Sequence, residues 1–323
     1  MNVLILGASG FIGRRVAEAL RASGRAEPLC ASRRPQVASP ASRTIALDTL
    51  DLDGLTNALR GMDAVVNCVA GAKASIATGA MRLVEAASRA RCRRIVHLSS
   101  MAVYGSLEGV VTEEAPLVAK AGWYGRAKRT AEDHLAGYAR AGGEVVILRP
   151  GCVVGPGSEP WVGRIGRWLR ARRIGDLGIA GDGWSNLVHV DDVSRAVLRA
   201  LELPVQGDGP ATFNLAAPDS PRWNEYFADL ALAIRATPLR RVRARNLRLG
   251  AYLAGPPLRI AERLFRTQGR PRFPEALPPS LLGLWSQELR LDASSATTEL
   301  RLEWTAYGDT LRSSADWFRG GAC

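Results

Sequence analysis

Tyr124 and Lys128 stand four residues apart in the stretch "GWYGRAK", and Ser100 is the second of the two serines in "RIVHLSSMAVYG". Residues four apart on a helix share a face, so the phenol and the ammonium would lie on one side of it. A free tyrosine titrates near about pH 10 and is a poor proton donor or acceptor at neutrality. An ammonium group beside it stabilises the phenolate and makes proton exchange with a carbonyl or alcohol oxygen feasible. A serine at a strand end can hydrogen-bond to the same oxygen. The chemistry these groups suit is proton transfer to an oxygen while hydride reaches or leaves the adjoining carbon. Tyr-x-x-x-Lys and Ser-Ser both arise by chance, so their meaning depends on the elements that carry them.

Those elements alternate. Short apolar, β-branched runs fall at Val3 to Leu6, Pro28 to Ser32, Thr44 to Leu47, Ala64 to Val69, Arg94 to Leu98 and Val145 to Leu148. Between them, Phe11 to Ala22, Leu52 to Leu59, Ser75 to Arg89 and Tyr124 to Ala141 carry apolar residues at three- and four-residue intervals. Strands that read as continuous apolar runs are buried on both faces, and their crossovers need helices, which predicts an α/β fold with a doubly wound parallel sheet. After Arg149 the Gly- and Pro-rich "RPGCVVGPGSEP" predicts a loop, and Trp161 to Arg173 an exposed helix. "NLVHVDDVSRAVLRALEL" predicts a strand running into a helix with acids at its start, and "TFNLA" one more strand of the same sheet. From Pro218 onward the sequence predicts short helices broken by Pro and Gly. Leu247 to Phe265, apolar but interrupted by Arg248, Arg259, Glu262 and Arg263, is expected to pack over a substrate cleft.

The first strand and helix, "VLILGASGFIGRRVAEAL", enclose Gly7, Gly10 and Gly13. A pyrophosphate needs a tight turn, a backbone without a Cβ in its way, and a helix N-terminus that presents free N–H groups and the positive end of its dipole. This loop therefore predicts dinucleotide binding. The second strand ends in "CASRRP", with Arg33 and Arg34 where an NAD-selective site usually has an acid for the ribose 2′-hydroxyl. Arginine there accommodates a 2′-phosphate, so NADP(H) is favoured over NAD(H). Asp48, at the end of the third strand, is placed to meet the adenine edge, and Val69, Ala70 and Gly71 end the fourth strand beside the cofactor. An oxidised nicotinamide would add a second positive charge near Tyr124.

Composition narrows the class. The five cysteines, Cys30, Cys68, Cys92, Cys152 and Cys323, form no Cys-x-x-Cys pair, and His97, His134 and His189 are the only histidines, so reduced thiols and no metal site are expected. The net charge of +12 is concentrated in "RIGRWLRARR" and "RRVRARNLR". No nucleic-acid motif accompanies these runs, which favours solvated helix faces or an anionic small-molecule substrate over nucleic acid. The opening "MNVLILGASG" is apolar for only five residues, too short for a signal peptide or a membrane span. A soluble, unprocessed, cytoplasmic protein is expected.

The sequence resembles the short-chain dehydrogenase/reductase superfamily in its extended, NAD-dependent epimerase/dehydratase branch, through "GASGFIG", "HLSSMAVYG", "YGRAK", "LRPGCVVGPG" and "LVHVDDVSRA". The resemblance covers roughly the first 215 residues; beyond them it is one of style, as in "LDASSATTELRLEW". It implies a Rossmann-type sheet over residues 1–152 and 187–216, with a smaller, mostly helical substrate lobe over residues 153–186 and 217–323. It also implies catalytic roles for Ser100, Tyr124 and Lys128, with Lys128 holding the nicotinamide ribose. Gly7, Ser9, Gly10, Phe11, Ile12 and Gly13 would hold the pyrophosphate, and Pro150, Gly151, Cys152 and Val153 would lie against the carboxamide. A homodimer through two helices of the sheet domain would be in keeping with the branch.

Departures from the branch narrow the chemistry. Met101 and Ala102 replace the Asp-Glu pair that performs elimination in sugar-nucleotide dehydratases, so dehydration is not expected. Cys152 stands where nucleotide-sugar epimerases carry asparagine, and Ser185 and Asn186 where they carry Arg-Asp. The expected activity is NADP(H)-dependent hydride transfer to a ketone or from a secondary alcohol. Epimerisation of a nucleotide sugar is the alternative, and a non-catalytic dinucleotide-binding protein a third reading that the retained Tyr124 and Lys128 argue against.

Overall fold

Each strand of the central sheet sends alternate side chains to opposite layers, and this period of two builds both cores. The computed structural model describes residues 1–33, 43–117, 122–205, 207–249 and 275–321. The strands are β1 (Asn2–Leu6), β2 (Glu27–Ser32), β3 (Arg43–Ala46), β4 (Ala64–Asn67), β5 (Arg94–Leu98), β6 (Gly109–Val111), β7 (Glu144–Pro150), β8 (Cys152–Val154), β9 (Leu187–His189), β10 (Ala211–Leu215) and β11 (Leu289–Leu291). Seven of them form one sheet in the order β10-β7-β5-β4-β1-β2-β3, and every pairing is parallel. The chain thus winds outward from β1 in both directions, with a switch point between β1 and β4, where open α/β sheets bind ligands at the carboxyl ends of their strands.

The crossovers are α1 (Phe11–Ser23), α2 (Leu52–Leu59), α3 (Lys73–Ala90) and α4 (Trp123–Arg140). They are followed by α5 (Arg164–Arg170), α6 (Val190–Glu202) and α7 (Trp223–Ala233). Val3 and Ile5 of β1 pack with Val16 and Leu20 of α1 and Val193 and Val197 of α6. Leu4 and Leu6 face the other way, towards Leu55 of α2, Leu83 of α3 and Leu135 of α4. All four β1 residues are essentially inaccessible to solvent. Fully burying one such side chain contributes about 1.5–3 kcal/mol. The fold is the doubly wound parallel sheet that the alternation of runs predicts.

A second core lies beyond the carboxyl ends of the strands. It gathers Met101, Tyr104 and Val111 from the first half with Cys152, Trp168, Leu187, Trp223, Tyr226, Phe227, Trp285 and Phe318. Two small parallel sheets support it, β8 with β9 and β6 with β11.

Two expectations are corrected here. The segment expected as loop contains β8, because the β-branched Val153 and Val154 pair with Val188 and His189 despite the flanking glycines. The helix expected to be exposed is a π-turn at Glu159–Gly163 leading into α5, and Val162, Ile165, Trp168 and Leu169 are buried. Its arginines are not simply solvated: Arg167 pairs with Glu159 and Glu275, and Arg170 lies 4.3 Å from the centre of the Phe318 ring. The density of arginines concealed an apolar face beneath them. Most of Leu247 to Phe265 lies outside the described residues.

Candidate active site

The glycine loop connects the end of β1 to α1 at the switch point. Gly7 adopts φ +76°, in the left-handed region, and a Cβ on Gly13 would sit 2.3 Å from the Gly7 carbonyl oxygen. Only glycine fits either position without moving backbone. Gly10 is the N-cap of α1 and offers no side chain to the helix end; the first turn carries no acid. The N–H groups of Phe11, Ile12 and Gly13 therefore point out of the helix without intrahelical partners. Ser9, half-buried, completes the loop. This backbone fits an anion such as a pyrophosphate through its dipole and free donors.

The other residues expected around a dinucleotide line the same edge. Arg33 follows β2 and is exposed, whereas Arg34 lies outside the described residues. Asp48, past the end of β3, is exposed, and its carboxylate accepts the Leu50 N–H at 3.0 Å. Val69 follows β4, with its N–H donated to Asn67 Oδ1 at 3.1 Å; Ala70 and Gly71 beside it are exposed. Pro150 ends β7, and Gly151 donates its N–H to Leu215 O at 2.9 Å. Cys152 and Val153 belong to β8, where burial raises the Cys152 thiol far above its usual range.

Ser100 and Tyr124 come together. Ser100 follows β5 in extended conformation and caps the 3-10 turn Met101–Tyr104, its Oγ accepting the Ala102 N–H at 3.2 Å. Its hydroxyl is also near enough to the Tyr124 hydroxyl to favour the phenolate. Tyr124 is in the first turn of α4, with Trp123 standing edge-on to it at 5.8 Å. Lys128, one turn on, is only 2% exposed and donates from Nζ to Leu98 O at 2.5 Å and Val69 O at 3.1 Å. An ammonium has three protons to donate, so one remains for a further acceptor. Burial lowers the Lys128 pKa to about 8, opposed by the nearby Cys68 and Glu132.

The expected effect of lysine on tyrosine needs revision. Burial raises Tyr124 above its usual range, and the nearby Ser100 hydroxyl is what opposes that rise. Lys128 directs two of its protons to backbone carbonyls instead.

Several buried groups of the site escaped the sequence reading. Glu132, four residues after Lys128, accepts from Arg149 Nε at 3.1 Å and Nη2 at 2.7 Å, and from Ser99 Oγ. Arg149 Nη1 also donates to the Tyr104 hydroxyl at 2.8 Å, which donates to Asn214 Oδ1 at 2.7 Å. Asn67 Nδ2 meets His97 Nδ1 at 3.1 Å, and burial together with the Lys128 charge keeps His97 neutral. The one signal in the sequence was spacing: Glu132 extends the Tyr124–Lys128 face by a turn. Among the described residues no cluster of His, Cys, Asp or Glu could hold a metal, and no helix is long and apolar enough to cross a membrane.

Residues 3–216 match the model of the NAD dependent epimerase/dehydratase family. The chain belongs to that family. Among curated members of comparable sequence is the 3-diazoavenalumate denitrifying reductase of a Streptomyces species, 31% identical over 255 residues that cover 71% of this chain and 81% of that protein. Protein YeeZ of Escherichia coli K12 is 33% identical over 156 residues, 48% of this chain and 52% of that protein, so this chain spans about half the length of that relative. The structure of MoeE5 with UDP-glucuronic acid and NAD superposes with a TM-score of 0.71 at 26% identity, covering 99% of this chain and 100% of that one. The UDP-glucose 4-epimerase of Thermotoga maritima superposes with a TM-score of 0.75 over the whole of both chains; at 19% identity it speaks for the fold alone. Family membership supports an NAD-dependent enzyme.

Proposed function

We propose that the protein is an NADP(H)-dependent oxidoreductase that transfers hydride between the cofactor and a ketone or secondary alcohol. The observation that carries this reading is the wholly buried Lys128, one turn beyond Tyr124 on α4, whose Nζ donates to Leu98 O and Val69 O at the carboxyl ends of β5 and β4, beside Ser100 and next to the switch point. Bound, the dinucleotide supplies or accepts the hydride. Tyr124 gives its hydroxyl proton to the substrate oxygen in reduction and takes it back in oxidation. The Ser100 hydroxyl donates to that oxygen or to the phenolate and so lowers the cost of the phenolate state. Lys128 also offers its third proton to the cofactor ribose, while the free N–H groups of Phe11, Ile12 and Gly13 and the exposed Arg33 hold its phosphates. Residues 153–186 and 217–323 take the substrate on this reading.

Two features weigh against elimination and against nucleotide sugars. Met101 and Ala102, after Ser100, have no proton to exchange. Ser185 Oγ is engaged with Ser220 and Pro221, and Asn186 ties Leu289 and Leu291 together, so neither presents a cation to a diphosphate. Epimerisation of a nucleotide sugar is the second reading, favoured by the likeness to MoeE5.

Screening NADPH oxidation against ketones with and without CoA, sugar or steroid moieties tests the proposal. Tyr124→Phe should then abolish turnover while leaving cofactor affinity within a few-fold; retained turnover would refute the role of Tyr124. Stoichiometric NADPH consumption supports the oxidoreductase, and a tightly held, non-exchanging NAD the epimerase.

A further inference from the structure

Glu132 and Arg149 are 4% and 6% exposed and form a bidentate ion pair inside the molecule. A pair so deeply desolvated adds little net stability over apolar residues of the same shape, so its presence calls for another use. What it touches supplies one. Glu132 lies four residues beyond Lys128 on the buried face of α4 and accepts from Ser99, the neighbour of Ser100. Arg149, on β7, donates to the Tyr104 hydroxyl and to Glu113 O, while Lys128 donates to Leu98 O. The segment from Leu98 to Tyr104, which contains Ser100, is thus fastened at three points to the helix and strand beside it. We propose that the Glu132–Arg149 pair is the positioning device of the active site, holding the Ser100 segment against α4 and supplying through Glu132 the counter-charge of the Lys128 ammonium.

The groups around Lys128 are few enough to attribute its charge. From just after β4 come Cys68 and the Val69 carbonyl, from β5 His97 and the Leu98 carbonyl, and from α4 Glu132; Arg149 faces Glu132 from β7. Burial raises the Cys68 thiol to about 12 and disfavours protonated His97. At neutral pH both are uncharged, which leaves Glu132, paired with Arg149, as the anion beside Lys128 among the described residues. Tyr104 carries the connection further, through Asn214, whose Nδ2 donates to Val111 O on β6 and to Asp292 O just after β11. The same ladder that holds the proton-transfer groups therefore reaches the small β6–β11 sheet.

The inference rests on the hydride-transfer reading for its catalytic part, but its electrostatic part can be measured without a substrate. Lys73, Lys120 and Lys128 are the only lysines in the chain. Labelled at the ε-carbon, they give three NMR resonances, so the Lys128 signal can be followed by itself. In the wild type Lys128 should titrate near 8. Glu132→Gln should move it about one unit further down, because the counter-charge is lost and Arg149 is left unbalanced. Glu132→Leu with Arg149→Met removes both charges at similar volume, and should fold and also titrate lower than the wild type. A Lys128 midpoint within about 0.3 unit of the wild type in folded variants would overturn the inference. With a substrate in hand, Glu132→Gln should lower kcat at least tenfold with KM within about threefold, and shift the alkaline limb with the NMR midpoint. A shifted midpoint in Glu132→Gln combined with an active Tyr124→Phe enzyme would retire the catalytic reading while leaving the charge assignment intact.

Discussion

Replacing Gly13 by alanine tests the cofactor loop on geometry alone. The added Cβ would lie 2.3 Å from Gly7 O and 2.9 Å from Ala8 Cα, both backbone atoms that cannot rotate away. Ordinary contacts begin near about 3.4 Å, so the β1–α1 turn must open by roughly 1 Å, and overpacking of this kind costs about 1–3 kcal/mol. If the loop opens to relieve it, the cost is met again when a pyrophosphate must be seated. At about 1.4 kcal/mol per decade, the dinucleotide Kd should then rise between about fivefold and 150-fold. Gly137→Ala is the matched control, since it lies within α4 and its Cβ would approach nothing nearer than Arg140 Nη2 at 4.0 Å. There alanine should stabilise the helix by about 0.5–1 kcal/mol and leave binding unchanged. The assay is fluorescence titration with NADPH and NADH alongside thermal melting. A Gly13→Ala protein that melts and binds like the wild type would show that the turn does not hold the cofactor.

Arg33→Ala should weaken NADPH binding far more than NADH binding in the same titration, and equal losses would refute the 2′-phosphate reading. Lys128 links stability to pH: its pKa is about 8 folded and 10.5 in the unperturbed state, so the unfolded chain binds more protons between those values. Wild-type stability relative to Lys128→Met should therefore rise from pH 8 to about 10.5, and melting curves that keep a constant separation would contradict the burial of a charged amine. Cys68 and Cys92, raised to about 12 and about 11 by burial, should resist Ellman's reagent at pH 8 until the protein is unfolded. Fast labelling of either, located by mass spectrometry, would count against the packing around them.

The central sheet was legible because each of its strands is apolar on both faces and each crossover helix carries a regular stripe; β5 and α2 are predicted to the residue. The glycine loop was legible for a related reason, since its demands are local to one turn. What stayed hidden was non-local. Three residues of β8 take their partner from β9, more than thirty positions away, and no local pattern separates them from the glycines around them. In α5 the arginines dominate the reading, although Trp168 and Ile165 decide which way the helix faces. The tyrosine–lysine pair was visible as spacing, but the direction of the Tyr124 shift depends on burial, which spacing does not encode. Glu132 was in plain view one turn beyond Lys128, yet its importance comes from Arg149 and Ser99 on other elements.

The β6–β11 pairing constrains how the chain can be made. Val111 emerges from the ribosome early, but its parallel partner Leu291 follows roughly 180 residues later, which at about 5–20 residues per second is on the order of ten to forty seconds. Throughout that interval the nascent polypeptide can complete β1 to β5 while β6 waits as an unsatisfied edge, immediately beyond the segment that bears Ser100. Order in the proton-transfer groups is therefore expected to arrive only once β11 has been made, well after the nucleotide-binding turn has formed.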